Sequence, residues 1–194
     1  MNYLAHVFLS GDNKELLLGN FIADAVKGKQ IDLYAPGIVQ GIRLHRMIDT
    51  FTDTHPIVHE TKARLRPGYK KYSPVIADLY YDHFLAKNFH VYSDTKLPDF
   101  TREVYALVQQ YYETLPDKVQ YFLPYMMRQD WLNAYATIHG IGQALGGLSR
   151  RTTFHSGMET AAMELELNYD AYLKDFTAFF PELIAYVNRV KHEL

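Results

Sequence analysis

Apolar residues recur every three or four positions along most of this chain, which is the spacing of one face of an α-helix. Alternation of apolar and polar residues, the pattern of a half-buried strand, is scarce. The predicted helices cover, to within a few residues at each end, positions 12–27, 36–52, 55–66, 73–89, 138–148 and 158–194. The pattern therefore predicts an all-α protein built as a helical bundle.

Glycines and prolines mark the predicted boundaries of these helices. Asp12 or Asn13 is placed to cap the first helix, and Gly28 to stop it. Pro67-Gly68 is expected to end the third helix, and Pro181 to break or kink the last one. No linker, repeat or low-complexity tract interrupts the chain. Residues 1–194 are therefore predicted to form a single domain.

Composition narrows the class of protein. The chain has 194 residues, of which 48% are hydrophobic, and a formal net charge of −2. This charge gives no reason to expect nucleic acid or a membrane surface as a partner. The absence of cysteine excludes disulfides and zinc–thiolate sites and fits a reducing compartment. No signal peptide is recognisable at residues 1–10, so a cytoplasmic location is expected.

Acidic and imidazole side chains interrupt several of the apolar helical runs. An ionised carboxylate that is buried without a partner costs several kcal/mol, so buried acids are normally paired or bound to a metal. The residues in question are His6, Asp24, His45, Asp49, Asp82 and His83. One polar site shared by several helices would account for all of them.

Imidazole and carboxylate ligands without thiolate suit a divalent ion such as Mn²⁺, Fe²⁺, Zn²⁺ or Mg²⁺. Helical bundles build such sites from side chains that point inward from facing helices. The predicted metal ligands are His6, Asp24, His45, Asp82 and His83. The alternative is ordinary helix ion pairs, Asp49 with Arg46 and Asp24 with Lys27, in a binding protein without catalysis.

Four long blocks of the sequence, at residues 1–6, 18–28, 41–56 and 78–86, resemble the acyl carrier protein phosphodiesterases, also called ACP hydrolases. A weaker echo lies at residues 147–151. The resemblance implies hydrolysis of the phosphodiester that joins 4′-phosphopantetheine to a serine of holo-acyl carrier protein, with Mn²⁺ or a similar divalent ion as cofactor. It also implies an HD-like fold, although this chain has no His-Asp dipeptide and carries Asp82-His83 in the reverse order.

The residues fit the implied chemistry in specific roles. Asp24 would serve the reaction at the metal, and Asp49 or Asp53 would orient a histidine or accept a proton. Lys27 and Arg43 are candidates to hold the phosphate oxygens, although Arg43 lies about 160° around an ideal helix from His45. The alternative reaction within this class is hydrolysis of a nucleotide or another small phosphoester.

An acidic carrier protein needs a basic surface to bind. The densest basic run of the chain comprises Lys62, Arg64, Arg66, Lys70 and Lys71. This run is predicted to steer the carrier protein toward the site. The alternative interpretation is a solvated basic loop without a partner.

Overall fold

The computed structural model describes residues 1–194 and contains twelve α-helices, short 3₁₀ turns and no strand. The predicted all-α class is confirmed. The helices are α1 (Tyr3–Ser10), α2 (Lys14–Ile22), α3 (Pro36–Thr54), α4 (Pro56–Tyr69), α5 (Ser73–Lys87), α6 (Phe89–Tyr92), α7 (Leu97–Gln110), α8 (Asp117–Arg128), α9 (Trp131–Ala134), α10 (Ile138–Ser149), α11 (Ala161–Leu167) and α12 (Tyr169–Lys191). None of them combines the length and the apolar character needed to cross a membrane.

Helix α5 lies at the centre of the core. Eleven of its 15 residues are buried, as expected for a helix that is surrounded by others, and it packs against α1, α4, α10 and α12. The rings of its aromatic residues Tyr81 and Phe84 each lie 5.7 Å from that of Phe176 on α12, the first edge-on and the second tilted.

Helices α2 and α3 cross at unusually short range. A Cβ atom added to Gly19 would lie 2.8 Å from the Cα of Gly41, and the reverse distance is also 2.8 Å. Only glycine permits this approach, because any side chain would collide with the backbone of the other helix. The crossing brings Asn20 at the end of α2 beside His45 on α3.

Two predicted boundaries near the N-terminus differ from the structure. Residues 3–10 form α1, which the pattern did not reveal, and Asn2 caps its first turn. Helix α2 begins after Asn13, whose side chain caps it as predicted, but it ends at Ile22 and not near Lys27. A tighter 3₁₀ turn, Ala23–Ala25, follows. This turn directs Asp24 toward His45.

Prolines inside helices account for a further difference. Pro67 does not end α4, as the sequence suggested, and of the break or kink expected at Pro181 the break does not occur, because both helices continue through their prolines. Each proline leaves the carbonyl four residues earlier without its helical donor. Pro67 and Pro181 lie on exposed faces. Water can therefore satisfy the free carbonyl groups, and the packed sides of the helices remain intact.

Candidate metal centre

Two helices and one turn bring four of the predicted residues together. His6 lies on α1, and Asp24 on the 3₁₀ turn after α2. His45 and Asp49 lie one turn apart on α3, so both project from the same face of that helix. His6 and His45 are buried, whereas Asp49 and Asp24 expose 39% and 68% of their side chains. The cluster therefore joins a buried imidazole pair to carboxylates that solvent can reach.

The polar atoms of the cluster face one another at short distances. His45 Nε2 lies 3.3 Å from an oxygen of Asp24 and 3.1 Å from one of Asp49. His6 Nε2 lies 3.2 Å from the other oxygen of Asp49. The two imidazole rings stack with their centroids 3.8 Å apart and their planes inclined by 13°. Asp49 thus bridges both histidines.

Asn20 fixes the orientation of the pair, and the sequence analysis did not assign it a role. Its backbone oxygen lies 2.9 Å from His45 Nδ1. A carbonyl oxygen only accepts, so Nδ1 of His45 is the donor and Nε2 of the neutral ring keeps its lone pair. The side-chain amide of Asn20 donates to the backbone oxygen of His6 at 2.8 Å. The signal in the sequence that could have revealed this role is an asparagine among the apolar residues of α2, where it is fully buried.

The carboxylates determine the titration of His45. Burial alone would lower the pKa of His45, but hydrogen bonds with Asp24 and Asp49 outweigh it and raise the pKa to about 9. Burial, assisted by the charge of His45, lowers the pKa of His6 to about 4. The hydrogen bond with His45 holds the pKa of Asp24 below its usual value. The two stacked rings therefore share one positive charge at most near neutral pH.

His6 is the least satisfied polar group of the protein. Both of its ring nitrogens are buried, and neither makes a hydrogen bond. A buried imidazole nitrogen without a partner is costly unless an ion or water occupies the space before it. Ligand atoms of His6, His45 and Asp49 all lie within 4.8 Å of one another. Atoms that bind one ion at about 2.0–2.2 Å lie within about 4.4 Å of one another, so a small movement of these side chains lets the donor set fit a divalent cation.

Asp82 and His83 do not join this cluster. The carboxylate of Asp82 accepts hydrogen bonds from the backbone N–H groups of Asn2, Leu4 and Ala5 and so binds the N-terminus of α1. The amino group of Met1, which also lies near Asp78 and Asp49, faces the same region. The predicted convergence of all five ligands is therefore not observed for Asp82, because its oxygens are already engaged by the backbone.

His83 has a separate set of partners. Its Nδ1 donates to the backbone oxygen of Tyr135 at 2.8 Å, and its Nε2 lies 3.0 Å from the hydroxyl of Tyr169. Both ring nitrogens are satisfied within the protein. His83 therefore holds α5 to the neighbouring helices and leaves no nitrogen for the cluster.

The predicted phosphate-binding and carrier-binding residues are dispersed. Lys27 and Arg43 are exposed and make no polar contact with the cluster. Asp53 binds Lys62 at 2.7 Å and does not reach either histidine. Arg64 pairs with the buried Asp175. Two members of the predicted basic run thus neutralise carboxylates of their own chain, whereas Arg66, Lys70 and Lys71 remain exposed without an ion pair.

A cavity of about 630 Å³ opens beside Asp24. Helices α5, α8, α9 and α10 and the start of α1 form its walls. Aromatic side chains, among them Tyr3, Phe122 and Trp131, line one side, and the guanidinium groups of Arg150 and Arg151 line another. None of these residues except the arginine pair stood out in the sequence, because their proximity arises only from the packing of distant segments.

Comparison with known proteins identifies the family. A sequence profile described as acyl carrier protein phosphodiesterase matches residues 1–183. The chain belongs to the acyl carrier protein phosphodiesterase family. The resemblance noted above is thus confirmed, and it extends well beyond the four blocks. Membership places the chain among the phosphodiesterases, a class of hydrolases.

Relatives with this name are similar over nearly their whole length. The proteins from Photorhabdus laumondii and Yersinia enterocolitica are each 32% identical to this chain, which they cover to 95%, and the matches span 93% and 96% of their own lengths. A relative from Escherichia coli is 32% identical over 97% of this chain and 98% of its own. No solved structure matches. The HD-like arrangement remains a prediction.

Proposed function

We propose that this acyl carrier protein phosphodiesterase removes 4′-phosphopantetheine from holo-acyl carrier protein and uses a divalent ion, Mn²⁺ first, bound by His6, His45 and Asp49 with Asp24 beside them. One observation carries the proposal. A buried imidazole pair with an unsatisfied nitrogen meets two carboxylates, one of which, Asp24, lines an open cavity. The names of the relatives supply the substrate class.

The lone pair of His45 supports the metal assignment. With Nδ1 donating to Asn20, the neutral ring presents Nε2 to carboxylate oxygens of Asp24 and Asp49. Lone pairs repel at such distances, so a positive species must lie among these atoms. It is either a proton on His45 or a cation shared by the cluster. A hydrogen bond from the far nitrogen of a metal-binding histidine to a carbonyl is the usual supporting arrangement.

Each residue at the site has a separate role in hydrolysis. A divalent ion, when bound, lowers the pKa of a water molecule and neutralises charge on a phosphodiester. Asn20 keeps His45 in the orientation and tautomer that expose Nε2. Asp24 is largely exposed and contacts His45 through one carboxylate oxygen, so its other oxygen would accept a proton from the attacking water. The new bond joins the water oxygen to phosphorus, the bond from phosphorus to the serine oxygen breaks, and the serine oxygen takes up a proton.

The products are apo-carrier protein and 4′-phosphopantetheine. Incubation of holo-carrier protein with the enzyme and Mn²⁺, followed by mass spectrometry of the carrier, tests this directly. We expect the carrier to lose the mass of the prosthetic group, and Asp49→Asn to abolish the loss. Asp32→Asn changes an exposed acid that makes no contact with the cluster, and should act as wild type. A carrier of unchanged mass, with nucleotides or other small phosphoesters consumed, would support the alternative substrate class.

A further inference from the structure

The cavity beside Asp24 has no role in the function proposed so far. Its volume of about 630 Å³ lies within the usual range for small-molecule sites. Asp24 is one of its lining residues, so a molecule in the cavity would touch the cluster of histidines and carboxylates at one end. The cavity therefore has the position of a substrate subsite.

Three side-chain cations line the cavity without a partner, namely Lys118 and the neighbouring pair Arg150 and Arg151. Arg150 and Arg151 are exposed, and neither forms an ion pair or hydrogen bond through its side chain. Burial raises the pKa of Tyr3, Asp24 raises it further and Arg151 lowers it, so the Tyr3 hydroxyl lies within electrostatic reach of both charges. Guanidinium groups bind phosphate oxygens in a bidentate manner. The end of the cavity near the cluster thus suits a phosphate.

The remaining walls are mostly apolar or small, and their polar members are Asn2, Asp78, Lys118, Gln129 and Gln143. Trp131 stacks on Phe122 with ring centroids 6.2 Å apart and planes inclined by 9°, and the ring of Tyr3 lies 5.6 Å from that of Phe122. Helix α10 contributes Ala144 and Gly147, where a methyl group and a hydrogen atom leave the space open. This combination fits a flexible, largely uncharged chain attached to a phosphate.

We propose that the cavity binds the phosphopantetheine arm of the substrate, with its phosphate between Asp24 and the Arg150–Arg151 pair and its pantetheine chain along the wall of Trp131 and Phe122. The proposal rests on the function proposed above, because that function supplies the arm. Arg151 then fixes the phosphate against the cluster, and the serine of the carrier protein departs toward solvent. The cavity retains the 4′-phosphopantetheine product until it is released.

Two neighbouring glycines on α10 provide a matched test. A Cβ atom on Gly147, which lines the cavity, would meet only Arg150 Nη2 at 3.9 Å. A Cβ atom on Gly146, which is not part of the lining, would meet only Arg150 Nη1 at 3.5 Å. Leucine at either position favours the helix by up to roughly 1 kcal/mol over glycine. Gly147→Leu should therefore fill the cavity and Gly146→Leu should not.

The only tryptophan of the chain, Trp131, lies in the wall and reports occupancy by its fluorescence. We expect 4′-phosphopantetheine to change the emission saturably, Gly147→Leu to weaken binding at least tenfold, and Gly146→Leu to bind as wild type. Arg151→Gln should weaken binding of 4′-phosphopantetheine but not that of pantetheine, which has no phosphate. Arg151→Gln tests the proposal if Gly147→Leu does not fold.

Other results would overturn the proposal. Equal binding by wild type and Gly147→Leu, equal losses in the two glycine variants, or an equal response to inorganic phosphate alone would each contradict an arm-binding cavity. The two proposals also fail in different ways. Turnover of holo-carrier protein with unchanged KM in Gly147→Leu would refute arm binding in the cavity and leave the proposed function standing. Saturable binding of 4′-phosphopantetheine that Gly147→Leu abolishes, without any turnover by the wild type, would refute the proposed function and leave arm binding standing.

Discussion

His45 differs from an ordinary buried histidine because its two ring nitrogens face opposite kinds of partner. Nδ1 faces the carbonyl of Asn20, whereas Nε2 faces the carboxylates of Asp24 and Asp49. A helix ion pair needs only one of these contacts. The complete set fixes the ring and collects negative charge at one point, which is what a cation site requires.

The positive charge of His45 should make the stability of the metal-free protein depend on pH. The folded-state pKa of His45 is raised to about 9, above the unfolded value of about 6.5. Its contribution is therefore complete below pH 6.5 and is lost as the pH rises through 9, with an upper bound of about 3 kcal/mol. In chelator, the difference in unfolding free energy between wild type and His45→Gln should shrink over that window. A difference that grew with pH would contradict the assigned charge.

Asp24 is predicted to matter for catalysis and little for folding. Its carboxylate is 68% exposed, and Asp49 still pairs with the buried His45 when Asp24 is removed, so no buried charge is left without a partner. Asp24→Ala should abolish hydrolysis of holo-carrier protein and shift the melting temperature by a few degrees at most. Asp32→Ala, at another exposed acid, serves as the control for both measurements. Intact turnover in an Asp24→Ala protein that melts far earlier would identify Asp24 as a structural residue instead.

At the scale of helices, periodicity identified most elements but not their ends. The apolar spacing predicted α3 and α10 closely, since both carry an apolar stripe on one face. It missed α1, whose eight residues are buried on almost every side and show little polar contrast. The continuation of α4 and α12 through their prolines was not predicted. Exposure on the folded surface, which decides whether a proline breaks a helix, is not visible in the sequence.

The crossing of α2 and α3 gives a prediction at this scale. Gly41→Ala would force the two helices apart, because its Cβ would collide with backbone atoms of α2. We expect a loss of roughly 1–3 kcal/mol in unfolding free energy, and a larger loss of activity as Asn20 moves from His45. Gly68→Ala is the control. Gly68 is exposed on α4 with nothing within 4 Å of an added Cβ, so that variant should be neutral or stabilised.

At the scale of the whole molecule, polar residues within apolar runs identified part of the site. Only the packing of the helices identified the rest. His6, Asp24, His45 and Asp49 converge, as interruptions of apolar runs suggested. Asp82 showed the same interruption but serves the N-terminus of α1, since a helix end satisfies a buried carboxylate as well as a metal does. Sequence spacing cannot separate these two uses, because it does not show which helix ends meet.

The exposed part of the basic run makes a prediction about docking. Reversing Arg66, Lys70 and Lys71 to glutamate should raise KM for holo-carrier protein and leave a small phosphodiester unaffected, because exposed charges act mainly on encounter. Screening acts over about 8 Å at physiological ionic strength, so kcat/KM of the wild type should fall as salt rises and that of the variant should fall less steeply.

A matched variant makes the same change in net charge elsewhere. Its reversed residues, exposed and without ion pairs, are Lys14, Lys96 and Lys174. The control should keep the salt slope of the wild type. Identical slopes for all three proteins would place docking on another surface, and the pair Arg150 and Arg151 would be the next to reverse.

The central claim is that the stacked histidines and Asp49 hold a divalent ion. It is tested most directly by equilibrium dialysis against Mn²⁺, with the bound metal measured per folded chain. We predict one ion per chain for wild type, none for His6→Gln under the same conditions, and one for His83→Gln, whose ring nitrogens are engaged by Tyr135 and Tyr169. Retention of the ion by His6→Gln, or its loss from His83→Gln, would contradict the account.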